Sequence, residues 1–368
     1  MPQDWQKVSS SPVTQQIEAG HGVALSELKR RWAIHTAGDL KQRCKELDCG
    51  SFLIGGLIPR RTISIVAGDS GIGKSPLLYQ AALCVAAGVP FLGRPVSQGR
   101  VLFLDFENGL GDVNVLVSQL SRHLGLTETP ENLLTWNYND APPKWDASQL
   151  SEMIRDVRPV WVLIDSLSGF APECEEKASN VTHVFQNFRK SMRECETAIT
   201  VVHHLKKPSV KPQEAPPPLE ENPRQWFLQV RGSGNLINGC DVRIGVATSV
   251  KRKHGEDLDG RSHDVALVIG GYGRVRGKIA TTFVARAQDE DDELLGYDKL
   301  AGVSLLFNLE QEDAYRNLPD VFKFKDAQRV YGKGAQATTD FLKKCIGVGI
   351  MRKDAKEYRK VEVAEQAE

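Results

Sequence analysis

Eight consecutive residues, Gly68, Asp69, Ser70, Gly71, Ile72, Gly73, Lys74 and Ser75, satisfy the pattern G-x-x-x-x-G-K-[ST]. In such a turn the glycines let backbone N–H groups converge on phosphate oxygens. Lys74 would reach the β- and γ-phosphates, and the Ser75 hydroxyl would ligate Mg²⁺. Pro76 falls in the first turn of the helix that must follow, where its missing N–H is tolerated. The chemistry is the binding of Mg-ATP or Mg-GTP, with residues 68 to 76 around the phosphates. A plain glycine-rich turn with a surface lysine is the competing reading. An apolar run before the pattern, "TISIVAG", and an Ala/Leu-rich run after it both favour the phosphate cradle.

Two carboxylates and a histidine pair could complete a hydrolytic site. Asp165 ends the apolar run "VWVLID", where a carboxylate after a phosphate cradle would support Mg²⁺. A loop-capping aspartate is the alternative. Glu107 follows the run "VLFLDF" and could act as the general base that polarises an attacking water. Asp105 competes for that role, because strand alternation places it on the same face as Glu107. Glu107 is nearer the end of the strand, where α/β proteins bind their ligands. His203 and His204 close the run "AITVVHH". A polar group there could touch the γ-phosphate and report its loss to the next loop, while one of the two is expected to be an ordinary core histidine.

These residues need strands to carry them. The runs at 62–68, 101–106, 160–165 and 198–204 are nearly all apolar and β-branched, as strands buried on both faces of a parallel sheet are. Helical patterns separate them. Val181, Val184, Phe185, Phe188 and Met192 repeat at helical spacing and predict one sheet-facing stripe. Strand and helix alternation implies an α/β domain with a mainly parallel sheet. Runs at 242–250, 264–275 and 279–288 follow with little helix between them and predict antiparallel edge strands. The acidic stretch 289–296 reads as a solvated hairpin tip. The expected organisation is an N-terminal extension over 1–48 and an ATPase domain over 49–307. A polar linker over 308–318 and a small C-terminal domain over 319–362 would follow.

Taken together, Lys74, Glu107, Asp165, the His203-His204 pair and "VRGSGNL" at 230–236 resemble the RecA-like P-loop ATPases of the RepA type. Those are hexameric replicative helicases of plasmids and mobile elements. The resemblance covers about 50–300 and implies a RecA-like core that uses ATP and Mg²⁺. It implies Lys74, Glu107 and His204 as catalytic groups, with His203 also at the nucleotide. Ser75 and Asp165 would serve the metal. It also makes Arg231 a finger acting in trans on a neighbour's γ-phosphate, which requires a homo-oligomer, with a hexamer favoured. Single-stranded DNA would pass through the pore. The Pro-rich loop 206–225, with Lys206, Lys207, Lys211 and Arg224, is a candidate contact for that strand or else a spacer. This loop and the segment beyond the core depart from the simplest members of the family.

The C-terminal segment has its own pattern. "KDAQRVYG" predicts a helix closed by Gly332, "GAQATTDFLKKCIGVG" a second helix, and "IMRKDAKEYRKV" two short strands around a turn. This resembles a winged helix. Residues 315–360 hold about 12 Lys and Arg against about 5 Asp and Glu, a basic footprint on a chain of no net charge. Gln336, Thr338 and Thr339 would head the recognition helix, with Arg352, Lys353 and Lys356 on the wing. Duplex DNA is the expected partner, a protein contact the alternative.

The seven cysteines include no C-x-x-C pair, which argues against zinc and disulfide frameworks and for a cytoplasmic setting. No apolar run suits a membrane span, and the first twenty residues lack a secretory pattern. The expected function is an ATP-driven DNA motor acting in replication of a mobile element or chromosome. A DNA-bound ATPase switch or loader is the alternative. A small-molecule kinase is disfavoured, because it would leave Arg231 and the basic tail without a role.

Overall fold

The computed structural model describes residues 25–32, 34–46, 50–140, 149–174, 178–206, 216–232, 234–249, 266–275, 277–288, 294–300, 307, 309–347 and 350–361. The chain divides into two compact units, Met1–Ser51 and Phe52–Glu368. In the first, helices α1 (Leu25–Trp32) and α2 (Ala37–Glu46) bury none of their residues. Thr36 and Asp39 cap α2 reciprocally, each side-chain oxygen accepting the other's backbone N–H.

In the second unit the chain runs β1 (Phe52–Ile54), β2 (Ile58–Pro59), β3 (Ile63–Gly68), α3 (Lys74–Ala87), β4 (Val101–Asp105), α4 (Leu110–His123) and β5 (Leu133–Asn137). It continues with α5 (Leu150–Val157), β6 (Trp161–Asp165), α6 (Ala178–Cys195), β7 (Ala198–His204), β8 (Val242–Thr248), β9 (Leu267–Gly273), β10 (Gly277–Gln288) and β11 (Leu294–Leu300). Nine of these strands form one sheet in the order β11-β10-β9-β8-β3-β7-β6-β4-β5. From β8 to β5 every pairing is parallel, and from β8 to β11 every pairing is antiparallel. The α/β architecture expected from the apolar runs is present, including the antiparallel edge.

Strand alternation distributes the core into two layers. On β6, Trp161 and Leu163 join the layer under α3 and α4, while Val162 and Ile164 join the layer under α5 and α6. Each fully buried Leu, Ile or Phe contributes about 1.5–3 kcal/mol. Helix α3 is apolar nearly all round because it is covered on several sides, with Leu77 through Ala86 buried throughout. On α6 the stripe Val181, Val184, Phe185, Phe188 and Met192 faces the sheet as its spacing predicts.

Two regions differ from the sequence reading. The stretch read as a linker forms α7 (Leu309–Asn317), because Ala314 and the following Leu318 bury an apolar edge among otherwise polar residues. Within the Pro-rich loop, Leu219 and Pro223 are buried, and Asn222 caps a short turn of helix by accepting the Gln225 N–H. Lys207 and Lys211 lie outside the described residues. So does most of the acidic hairpin tip, although its last residues, from Leu294 on, begin β11.

After α7 come β12 (Val321–Lys323), α8 (Phe324–Tyr331), α9 (Ala335–Gly347), β13 (Met351–Asp354) and β14 (Glu357–Lys360). The strands form a three-stranded antiparallel sheet ordered β12-β14-β13. Gly332 ends α8 in the left-handed region at φ 65°, a conformation glycine adopts without strain. A separate core of Phe307, Phe322, Phe341, Leu342, Ile350 and Tyr358 holds these elements together. Thr338, expected on the exposed head of α9, is instead buried and donates its hydroxyl to the Gly334 carbonyl at 3.0 Å. Its position on the inward face of α9 explains the difference. Gln336, Arg352, Lys353 and Lys356 are exposed.

Candidate functional site

The cradle joins the end of β3 to the start of α3. Gly73 has φ 100° and caps α3, a backbone state that disfavours any side chain. A Cβ on Gly68 would lie 2.5 Å from the Val246 carbonyl oxygen on neighbouring β8. Both glycines are therefore required by the fold as well as by phosphate approach. Lys74 is buried and its ammonium donates to the carbonyls of Gly68 at 3.1 Å and Asp69 at 2.7 Å. Burial lowers its pKa, while Asp165, Glu107 and Asp69 act in the opposite direction. Pro76 sits where the helix has no intrahelical acceptor to offer its missing N–H.

Strands β4 and β6 bring Asp105 and Asp165 side by side in register. Asp105 is buried and fully used. Its Oδ1 accepts the Glu107 and Asn108 backbone N–H groups at 3.0 and 2.9 Å, and its Oδ2 accepts the Tyr79 hydroxyl at 2.9 Å. The Asn108 amide adds further bonds to both oxygens. Asp105 thus shapes the turn that carries Glu107, and of the two carboxylates only Glu107 reaches solvent. No sequence signal singles out Tyr79 or Asn108. They matter because burial of Asp105 demands donors.

Asp165 is almost completely buried, and neither carboxylate oxygen has a hydrogen-bond partner of good geometry. Burial raises its pKa to about 7; the nearby Ser75 hydroxyl tempers the rise, and Asp105 and Glu107 add to it. A buried carboxylate beside a serine hydroxyl suits a divalent cation. Among the described residues no group of three or more His, Cys, Asp and Glu stands ready for a metal.

Glu107 and His204 meet across the end of β6. His204 Nε2 donates to Glu107 Oε1 at 3.1 Å, and both side chains are partly exposed. That hydrogen bond, helped by one from Ser166 and by the His204 and Lys74 charges, holds the Glu107 pKa at about 2 against the effect of burial. Glu107 is therefore ionised across the physiological range.

His203, expected beside the nucleotide, is fully buried, and its Nε2 lies 3.0 Å from the Arg231 carbonyl oxygen. Alternation along β7 turns it away from the face that carries His204. The Arg231 N–H in turn donates to the His204 carbonyl at 3.0 Å, and Leu205 pairs with Val230. Val230 and Arg231 are stitched to the end of β7 by these bonds, with Arg231 exposed.

Residues 35–210 match a family profile described as an AAA domain. Among solved structures, the chain is similar to the RadB recombinase at 14% identity and TM-score 0.43, over 66% of this chain and 92% of that one. It is also similar to a KaiC-like protein from the hyperthermophilic archaeon Pyrococcus horikoshii OT3. That match has 11% identity and TM-score 0.43, over 68% of this chain and 94% of that one. No curated protein matches it. The phosphate cradle and the mainly parallel sheet, with residues 35–210 similar to AAA domains, support a nucleotide-binding P-loop α/β fold.

Proposed function

We propose that the protein is an Mg-ATP-hydrolysing, ring-forming DNA motor of the RepA helicase type, acting in the replication of a mobile element or chromosome. The observation that carries this reading is the gathering of Lys74, Asp165, Glu107 and His204 at one end of the parallel strands, with Arg231 tied to the same end through β7. In the reaction, water attacks the γ-phosphorus as Glu107 accepts its proton. The bond from that phosphorus to the β,γ-bridging oxygen breaks, leaving ADP and phosphate. Lys74 balances charge on the phosphates, and His204 holds the base in its ionised form. Bound Mg²⁺, on Ser75 and Asp165, would neutralise phosphate charge. Arg231 of a neighbouring copy would stabilise the transition state in trans, an effect worth about 10³–10⁵ in rate where such fingers operate.

The C-terminal elements run helix, strand, helix, helix and hairpin, the order of a winged helix, and the hairpin exposes Arg352, Lys353 and Lys356. This module supports duplex DNA as a partner, held mainly through phosphates. It also favours a second reading, a DNA-bound ATPase switch or loader that hydrolyses ATP without unwinding. Turnover measured with and without single-stranded DNA, alongside a fork-unwinding assay, separates them. The motor gives DNA-stimulated turnover and strand separation. Stimulation without separation assigns the switch or loader, and turnover indifferent to any DNA rejects both.

A further inference from the structure

Two side chains on the antiparallel edge of the sheet hold the phosphate cradle from outside. Arg286 on β10 and Tyr297 on β11 are register partners in one rung of their hairpin. Arg286 Nη2 donates to the Ile72 carbonyl at 3.0 Å, and the Tyr297 hydroxyl donates to the Gly73 carbonyl at 3.1 Å. Arg286 also donates to the Tyr297 hydroxyl. The rung is itself anchored to α3. The Gln80 amide donates to the Tyr297 carbonyl at 2.8 Å and accepts the Tyr297 N–H at 2.7 Å. A Cβ on Gly73 would collide with the Tyr297 hydroxyl, so the close approach depends on that glycine.

The two carbonyls belong to consecutive peptide groups whose N–H ends are those of Gly73 and Lys74. In a phosphate cradle these N–H groups face the anion. Donation to the carbonyl end of a peptide polarises its N–H, because hydrogen bonds in a chain strengthen one another. The rung also fixes the peptide planes that aim those N–H groups. We infer that Arg286 and Tyr297 are positioning residues for the nucleotide phosphates, setting cradle affinity through the Ile72 and Gly73 carbonyls. Burial raises the Tyr297 pKa to about 12, so its hydroxyl keeps the proton it donates. Both residues lie outside the 35–210 segment that matches the AAA profile. This chain's edge hairpin therefore tunes a site whose phosphate-facing groups come from its parallel half.

The inference rests on nucleotide binding at the cradle, and the experiment separates the two. ATP, ADP and adenosine binding are measured calorimetrically on the full chain, for the wild type and for Tyr297→Phe, Arg286→Gln and Arg286→Lys. Tyr297→Phe keeps the buried ring and should weaken ATP and ADP about 5-fold. Arg286→Gln should weaken both about 10-fold, with Arg286→Lys recovering part of the loss. Adenosine affinity should be unchanged, since it carries no phosphate. In turnover, KM should rise by the same factors with kcat within about 2-fold. Variants that bind ATP as the wild type does overturn the inference. Equal losses for adenosine overturn it too, because they indicate a general structural effect. A wild-type chain that binds neither ATP nor ADP overturns the nucleotide reading and this inference with it.

Discussion

The two halves of the central sheet serve one site by different means. In the parallel half, β3, β4, β6 and β7 all end at the same edge and deliver Lys74, Glu107, Asp165 and His204 directly to it. In the antiparallel half, the chain passes that edge in hairpins and delivers donors to the back of the cradle, through Arg286 and Tyr297. Parallel strands all point their C-terminal ends one way, so a site built there collects one functional group from each crossover. Antiparallel strands bring pairs of neighbours to a single rung, which suits support better than chemistry. Loss of a parallel-half group should therefore reduce kcat, and loss of an antiparallel-half group should change affinity or stability.

The sharpest test of that contrast uses mixed oligomers. Lys74→Ala and Arg231→Ala should each lower turnover by about 10³ or more as pure species. Mixed together, they should regain a measurable share of activity, because some interfaces then pair an intact cradle with an intact finger. Mixed oligomers that stay inactive would confine Arg231 to its own subunit. Glu107→Gln comes next. It should lower kcat by about 10²–10⁴ and leave ATP affinity nearly intact, as read by single-turnover hydrolysis beside equilibrium binding.

A smaller and different effect is expected from Gln80→Leu, which removes the α3 anchor of the antiparallel rung. It leaves the Tyr297 backbone N–H and carbonyl buried without partners, which costs about 1–3 kcal/mol for each group. Denaturant unfolding should register that loss while kcat changes little, and a large fall in kcat would break the contrast. The mildest prediction concerns pH. Glu107 has its folded pKa depressed to about 2, chiefly by the His204 hydrogen bond, so the contribution of that bond is present above the unfolded value and is lost as pH falls through about 2. In the wild type, kcat/KM should therefore show no inflection near the ordinary carboxylate range. His204→Ala removes the main cause of the depression, and an acid limb should then move up toward that range.

Some of this was legible in the residues themselves. The cradle spacing announced a phosphate site because backbone geometry demands glycine and lysine at fixed offsets. The four apolar runs announced buried parallel strands, since only strands covered on both faces lack polar alternation. The tail announced two helices and a hairpin, with Gly332 as the stop. By contrast, α7 was hidden because among its described side chains only Ala314 is fully buried, with Tyr315 partly so and Leu318 beyond its end, too sparse to show a period among acidic residues.

What the sequence by itself determined is the set of local instructions: a cradle, the strands that flank it, and carboxylates and histidines at strand ends. Tertiary structure alone decided which of them meet. It gave Asp105 to the Glu107 turn and left Glu107 to the solvent, and it turned His203 inward and His204 to the site. It also carried Arg286 and Tyr297 from far along the chain to the outer face of the cradle. The physical reason is that these outcomes depend on strand order and burial, which fix which donors a carboxylate or carbonyl can find. Spacing along the chain carries no record of either.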